Sequence, residues 1–181
     1  MTGDAQSTAV ELEVALQRTT GTVTELLEDL AGEPIDADIL AQDTVSAGDD
    51  NPLGLVSDAQ MIRRAVLLTG RTSGRTFVYA ESAIARERLP DPVRRRLESS
   101  REPIGRVFAD HRLTVQRVPV AGPVVAVGNA ARPTDLPDRS VLSRRYRITF
   151  AGEPAIVVSE WFLETVLEAL ACRSEERSGS R

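Results

Sequence analysis

Hydrophobic and polar positions along this chain switch between helical spacing and strict alternation, and the switches divide it into elements. Residues 7–19, STAVELEVALQRT, set Val10, Leu12, Val14 and Leu16 among helix formers behind a Ser/Thr start and predict a helix. A second helix is signalled by a capping box, Thr22 with Glu25 three residues on, by the stripe Leu26, Leu27 and Leu30, and by Gly32 as the stop. PIDADILAQDTV alternates from Ile35 and reads as a strand, and residues 46–54 read as a loop. MIRRAVLL and TFVYAES form a hairpin around the turn TGRTSGR. DPVRRRLESS predicts a helix with Asp91 at its N-cap and Pro92 at its first position. PIGRVFAD is a short turn or helix and RLTVQRVPV a strand. SRRYRITF and AIVVSEWFL make a second hairpin around AGEP, and ETVLEALA closes the fold as a helix. The expected architecture is α+β, an antiparallel β-sheet flanked by helices. A flexible N-terminus (1–6) precedes a single domain (7–171), and a polar tail (172–181) is expected to be disordered. The stretch 121–140, with three prolines and two glycines, is long for a loop and suits a lid.

Alternation also sorts the strand faces, and two charges fall out of place. Ile156, Val158, Glu160 and Phe162 share one side of the last strand; Ile62, Arg64, Val66 and Leu68 share one side of the first hairpin. A carboxylate or guanidinium in register with apolar residues costs several kcal/mol unless it is paired. Three readings stay open here. The two are a structural ion pair, or strand twist exposes both, or they line a pocket where Arg64 grips a carboxylate and Glu160 handles a proton or hydroxyl. Glu81, beside Phe77 and Tyr79, is expected at an edge or facing solvent. Arg94, Arg95 and Arg96 fan around their helix as a solvated surface, and GRTSG lacks the following helix that a phosphate cradle needs.

Composition narrows the chemistry. The chain has 181 residues and a net charge of -5, so no global attraction to nucleic acid or to an anionic membrane is expected. No apolar run approaches the roughly 20 residues of a bilayer span, no signal peptide is apparent, and a cytoplasmic protein is the plain expectation. All 22 cationic residues are Arg. The absence of Lys removes Schiff-base chemistry and a Walker-type phosphate loop. His111 and Cys172 are each single, which makes His/Cys metal sites and Ser-His or Cys-His pairs hard to build. His111 itself reads as a loop or element-end residue. No metal and no cofactor are expected, and any catalysis falls to Arg, Asp, Glu, Tyr, Ser or Thr.

Five segments, taken in order, carry a family resemblance: GTVTELLE; IRRAVLL leading into TFVYAESAIARERLP; EPIGRVF; SRRYRITFAGEP; and VVSEWFL. Together, from Thr22 to Leu163, they resemble the chorismate pyruvate-lyase (4-hydroxybenzoate synthase) family. The resemblance implies a UTRA-like fold, shared with the effector-binding domains of some bacterial transcription regulators. It implies that the ligand-gripping arginine is Arg64 and the essential glutamate Glu160. Two backbone contacts fall on Val23 and Ile104, where the side chains differ from the family's. The implied reaction expels pyruvate from chorismate to leave 4-hydroxybenzoate. Arg64 would bind a substrate carboxylate, the Val23 and Ile104 backbones would orient the ring acid, and Glu160 would assist proton movement at the ring hydroxyl. Direct hydrogen transfer from ring to enolpyruvyl group is the other route. The competing readings are a non-catalytic aromatic-acid binder or sensor on the same fold, and a lyase giving another hydroxybenzoate from a chorismate-like substrate. Only about 20 residues precede the matched region, too few for a sensor's winged-helix domain. A monomer or weak homodimer, with no nucleic-acid or membrane partner, is expected.

Overall fold

The computed structural model describes residues 10–16, 22–121 and 140–179. Residues 10–16 are helical and precede four further helices: α1 (Val23–Ala31), α2 (Asp91–Ser99), α3 (Ile104–Asp110) and α4 (Glu164–Gly179). Six strands, β1 (Ile35–Ser46), β2 (Gln60–Gly70), β3 (Thr76–Ala85), β4 (Gln116–Pro119), β5 (Ser140–Phe150) and β6 (Glu153–Leu163), form one sheet in the order β1-β2-β3-β6-β5-β4. Every neighbouring pair is antiparallel, so the fold is the expected α+β sheet. The pairing of β3 with β6 lays the two hairpins side by side and makes them the centre of the sheet.

Register across β2, β3, β6 and β5 arranges one face as four rows: Ile62–Ile84–Ile156–Ile148, Arg64–Ser82–Val158–Tyr146, Val66–Ala80–Glu160–Arg144, and Leu68–Val78–Phe162–Leu142. The two outer rows are apolar and each has its own core. The isoleucine row packs under Val93 and Leu97 of α2 and Val107 and Phe108 of α3. At the other end, Leu68, Val78 and Phe162 pack under Leu12, Leu16, Leu27 of α1 and Val166 of α4. The two middle rows hold the polar residues. There β3 contributes only Ala80 and Ser82, so the floor between the two cores is low. On the opposite face, Met61, Ala83, Ala85 and Val157 pack against Leu53 of the loop 47–59. Asn51 braces that loop, donating to the Gly48 and Leu55 carbonyls and accepting from the Leu53 and Leu55 amides.

Local chemistry sets the helix starts that overlook the low floor. In α1 the Glu25 amide donates to Thr22 Oγ1 at 3.1 Å and the Thr22 amide to Glu25 Oε2 at 2.7 Å, completing the predicted capping box. Gly32, at φ 68°, closes the helix. Arg106 of α3 donates to Glu28 of α1 at 2.6 Å, and Glu28 also accepts from the Ile35 amide at 3.1 Å, which ties both helices to β1. The closest approach is at Gly105, where a Cβ would lie 2.5 Å from Thr22 Cγ2 and 2.7 Å from its Cβ. A side chain there would push the two helix starts apart.

Several expectations change. Pro90, not Asp91, is the N-cap of α2; Asp91 and Pro92 are its first two residues, and Asp91 instead pairs with Arg94 at 2.8 Å. Arg96 is not a free surface charge: it bridges Glu102 and Asp110. The second hairpin turns on Ala151 and Gly152 alone, both at positive φ, so Glu153 and Pro154 already belong to β6. The tail from Cys172 is helical as far as Gly179, because α4 continues beyond its apolar stripe. Glu81 is 3% exposed, neither at an edge nor in solvent, since β3 lies inside the sheet; the Tyr79 hydroxyl donates to it at 2.6 Å. His111 caps the end of α3, as an element-end residue. Of the proposed lid, 121–140, all but its two end residues lie outside the described residues, as do the N-terminal residues 1–6. No described helix is long and apolar enough to cross a membrane.

The Gly105 contact has a measurable sign. Helix propensity alone would make Gly105→Ala stabilising by about 1 kcal/mol, whereas overpacking against Thr22 costs about 1–3 kcal/mol. The expected result is a net loss of stability by urea denaturation; a gain would mean that α1 and α3 separate freely.

Candidate active site

A cavity lies over the two middle rows, between the two apolar cores. Arg64 from β2, Glu160 from β6, Val23 from α1 and Ile104 from α3 all line it, so four elements far apart in sequence bring the four predicted residues together. β2 and β6 are separated by β3 alone, which puts their backbones about 9.6 Å apart. Ala80 and Ser82 of β3 also line the cavity and are too small to fill that interval. Arg63, one residue from Arg64, faces the other side of the sheet, as alternation requires.

Arg64 is 3% exposed. Its Nη2 donates to the Glu102 carbonyl at 2.8 Å, while Nε and Nη1 are buried with no hydrogen-bond partner among the described residues. Among the described residues no carboxylate pairs with it. Its cross-strand neighbour Gln42 directs its amide to the Glu98 carbonyl at 3.0 Å. Burial lowers the guanidinium to about 10, which still leaves it charged near neutral pH. An unpaired buried cation is costly, and this one opens onto a cavity. Glu102 immediately precedes the Pro103 cap of α3, so Arg64 stands beside the first turn of that helix. Val23 and Ile104 are the first residues of α1 and α3, whose amides have no acceptor within their own helices. The cation and these helix starts form an electropositive end suited to a carboxylate.

Glu160 is 4% exposed and has different company. Arg144, directly opposite it on β5, donates from Nε to Oε2 at 2.6 Å. The Tyr146 hydroxyl donates to Oε1 at 3.0 Å. Arg144 also lies 4.9 Å from the Tyr146 ring centroid and 5.6 Å from that of Phe162. Burial works against its charge, but Glu160 and Tyr146 outweigh that and raise it. Burial and then the Glu160 charge push the Tyr146 phenol far up, so it stays protonated and remains a donor. A carboxylate has about four lone-pair sites; with two occupied, Glu160 can still accept from a ligand. Of the three readings of Arg64 and Glu160, mutual pairing and solvent exposure are both excluded. Each is buried, and each has other partners.

Sequence reasoning missed Arg144, Tyr146 and Arg117, the last on β4 and lining the same cavity as Tyr146. A signal for the first two was present: Arg144, Tyr146 and Ile148 alternate onto one face of β5. What it lacked was the register that sets Arg144 opposite Glu160. Glu81, by contrast, belongs to the other sheet face, opposite Ser159, and takes no part in this cavity.

Comparison with known proteins gives a consistent result. Residues 18–170 match the family described as chorismate pyruvate-lyase Rv2949c-like. A protein named chorismate pyruvate-lyase from Mycobacterium leprae is 33% identical over 160 residues, covering 84% of this chain and 74% of that protein. One of the same name from Mycobacterium tuberculosis is 30% identical over 155 residues, covering 81% and 76%. Among solved structures, the effector domain of PhnF from Mycobacterium smegmatis superposes with a TM-score of 0.53 at 14% identity, over 81% of this chain and 91% of that one. That likeness shows the fold alone.

The Arg144–Glu160 pair yields a stability test. Arg144→Met leaves Glu160 buried with one neutral donor and is expected to cost about 3–5 kcal/mol. Adding Glu160→Gln removes the stranded charge and should restore at least half of the loss in urea denaturation. A single variant within about 0.5 kcal/mol of wild type would show that the pair does not hold Glu160.

Proposed function

Because the chain belongs to the chorismate pyruvate-lyase Rv2949c-like family, we propose that it converts chorismate to 4-hydroxybenzoate and pyruvate, with no metal or organic cofactor. The observation that carries the reading is the buried Arg64 guanidinium, with Nε and Nη1 unpartnered among the described residues, in the same cavity as Glu160. In this reading Arg64 and the first turns of α1 and α3 take the ring carboxylate. The ring lies over Ala80 and Ser82, and Glu160 meets its hydroxyl end. A ring with a carboxylate on one carbon and a hydroxyl opposite matches a floor with a cation on β2 and an acceptor on β6.

The chemistry asks little more of the protein. The ether bond between ring and enolpyruvyl group breaks. The ring carbon bearing the hydroxyl loses its hydrogen, and the ring becomes aromatic with that hydroxyl retained. The hydrogen ends on the enolpyruvyl methylene, which becomes the methyl group of pyruvate. Glu160 can carry it as a proton, or it can pass directly between the two parts of the substrate. Either route gains from a cavity that fixes the reactive conformer. Aromatisation supplies the driving force, which is why neither an electrophilic metal nor a redox group is called for. Arg144 and Tyr146 keep the Glu160 carboxylate oriented toward the floor.

The test is to incubate the purified protein with chorismate in the presence of a chelator and quantify pyruvate and the aromatic product. Pyruvate and 4-hydroxybenzoate in equal amounts are expected. Pyruvate at the uncatalysed rate would end the lyase reading, and a different hydroxybenzoate would correct the product. Arg64→Ala and Glu160→Gln should each lower turnover by well over tenfold, about 1.4 kcal/mol or more, while circular dichroism shows both still folded. Folded variants with wild-type rates would return both residues to a structural role.

A further inference from the structure

Chorismate carries two carboxylates, and Arg64 with the helix starts accounts for one. Of the described residues lining the cavity, the other cation is Arg117. It lies on β4, opposite Ile148 and next to the Tyr146 side of the floor. β4 stands four strands away from β2, about 19 Å between backbones, so Arg64 and Arg117 approach the cavity from opposite ends. Arg117 has no ion pair or side-chain hydrogen bond among the described residues. That sets it apart from Arg144, which Glu160 neutralises, and from Arg96 and Arg106, which are tied to acids.

Arg117 also has a second exposure. A neighbouring cavity is lined by Arg117, Arg144, Arg145 and Tyr146, with Glu13 as its acid. Arg117 and Tyr146 line both cavities and so stand between them. A small anion released near Tyr146 would meet a surface of guanidinium groups on its way out.

We propose that Arg117 binds the enolpyruvyl carboxylate of the substrate and that pyruvate leaves past it through the arginine-lined cavity. This rests on the chorismate reading above and adds a specificity residue to it. With Arg64 on the ring carboxylate and Arg117 on the enolpyruvyl carboxylate, the two ends of the breaking ether are anchored separately. Two anchored ends fix the torsion between ring and side chain, which either route of hydrogen transfer requires. A guanidinium suits the task because its fork can grip a carboxylate with two parallel hydrogen bonds.

The experiment compares two ligands that differ in the second carboxylate. In the full chain, Arg117→Gln should raise the KM for chorismate at least tenfold and weaken inhibition by pyruvate. Its inhibition by 4-hydroxybenzoate, which has only the ring carboxylate, should stay within twofold of wild type. Arg117→Lys, which keeps the charge but loses the fork, should fall between the two. Wild-type KM and kcat for chorismate in Arg117→Gln would overturn the proposal, and so would equal weakening toward chorismate and 4-hydroxybenzoate. Calorimetric titration of both ligands into both proteins separates this inference from the lyase reading. Arg117-dependent chorismate binding without turnover would support the anchor and end the lyase reading. Turnover indifferent to Arg117 would do the reverse.

Discussion

A guanidinium buried in a sheet, with no carboxylate among the described residues to balance it, is the constraint that orders this molecule. Leaving Arg64 uncompensated costs several kcal/mol, and the fold offsets that cost on either side of it. The isoleucine row under α2 and α3, and the Leu68–Val78–Phe162–Leu142 row under α1 and α4, are two dense apolar cores flanking the polar floor. Neither core closes over Arg64, because β3 presents only Ala80 and Ser82 between them and because the starts of α1 and α3 meet at Gly105 without sealing the space. The Glu102 carbonyl fixes one nitrogen of the guanidinium and leaves two aimed elsewhere. Such a group is preorganised for an anion, since no partner among the described residues has to be displaced first.

Glu160 shows the opposite arrangement on the same floor. Its charge is shared between Arg144 and Tyr146 on the neighbouring strand, and cation-π contacts to Tyr146 and Phe162 hold Arg144 in turn. The two buried charges therefore do not neutralise each other. Their separation by the width of β3 makes a cavity with a cationic end and an acceptor end, where a shorter interval would have made a structural ion pair. In the proposed reading, that polarity meets a substrate whose acid and hydroxyl ends lie across a ring.

Much of this is legible in the sequence. Thr22, Glu25 and Gly32 specify α1 through contacts within a few residues. Strand alternation assigned Arg64 and Glu160 to apolar faces without reference to their neighbours. The errors share a cause. Asp91 has the right chemistry for an N-cap, yet Pro90 takes that position and Asp91 turns to Arg94 instead. Glu81 looked like an edge residue because nothing local reveals that β6 pairs with β3 and buries it. Arg144 and Tyr146 were on the correct face of β5, but a face does not name a partner; that needs register.

What the sequence by itself determined is everything that acts over one turn or one alternation. It specified the cap and stop of α1, the strand faces, the exclusion of lysine chemistry, and the two charges that do not belong on an apolar surface. Only the tertiary structure decided how those charges are used. The β3–β6 pairing set the interval between Arg64 and Glu160, and the β5–β6 register gave Glu160 its own cation. The edge position of β4 brought Arg117 to the far end of the cavity. The physical reason is range: propensity and alternation are properties of neighbours in the chain, whereas the pairing of a buried charge depends on which strand lies alongside it.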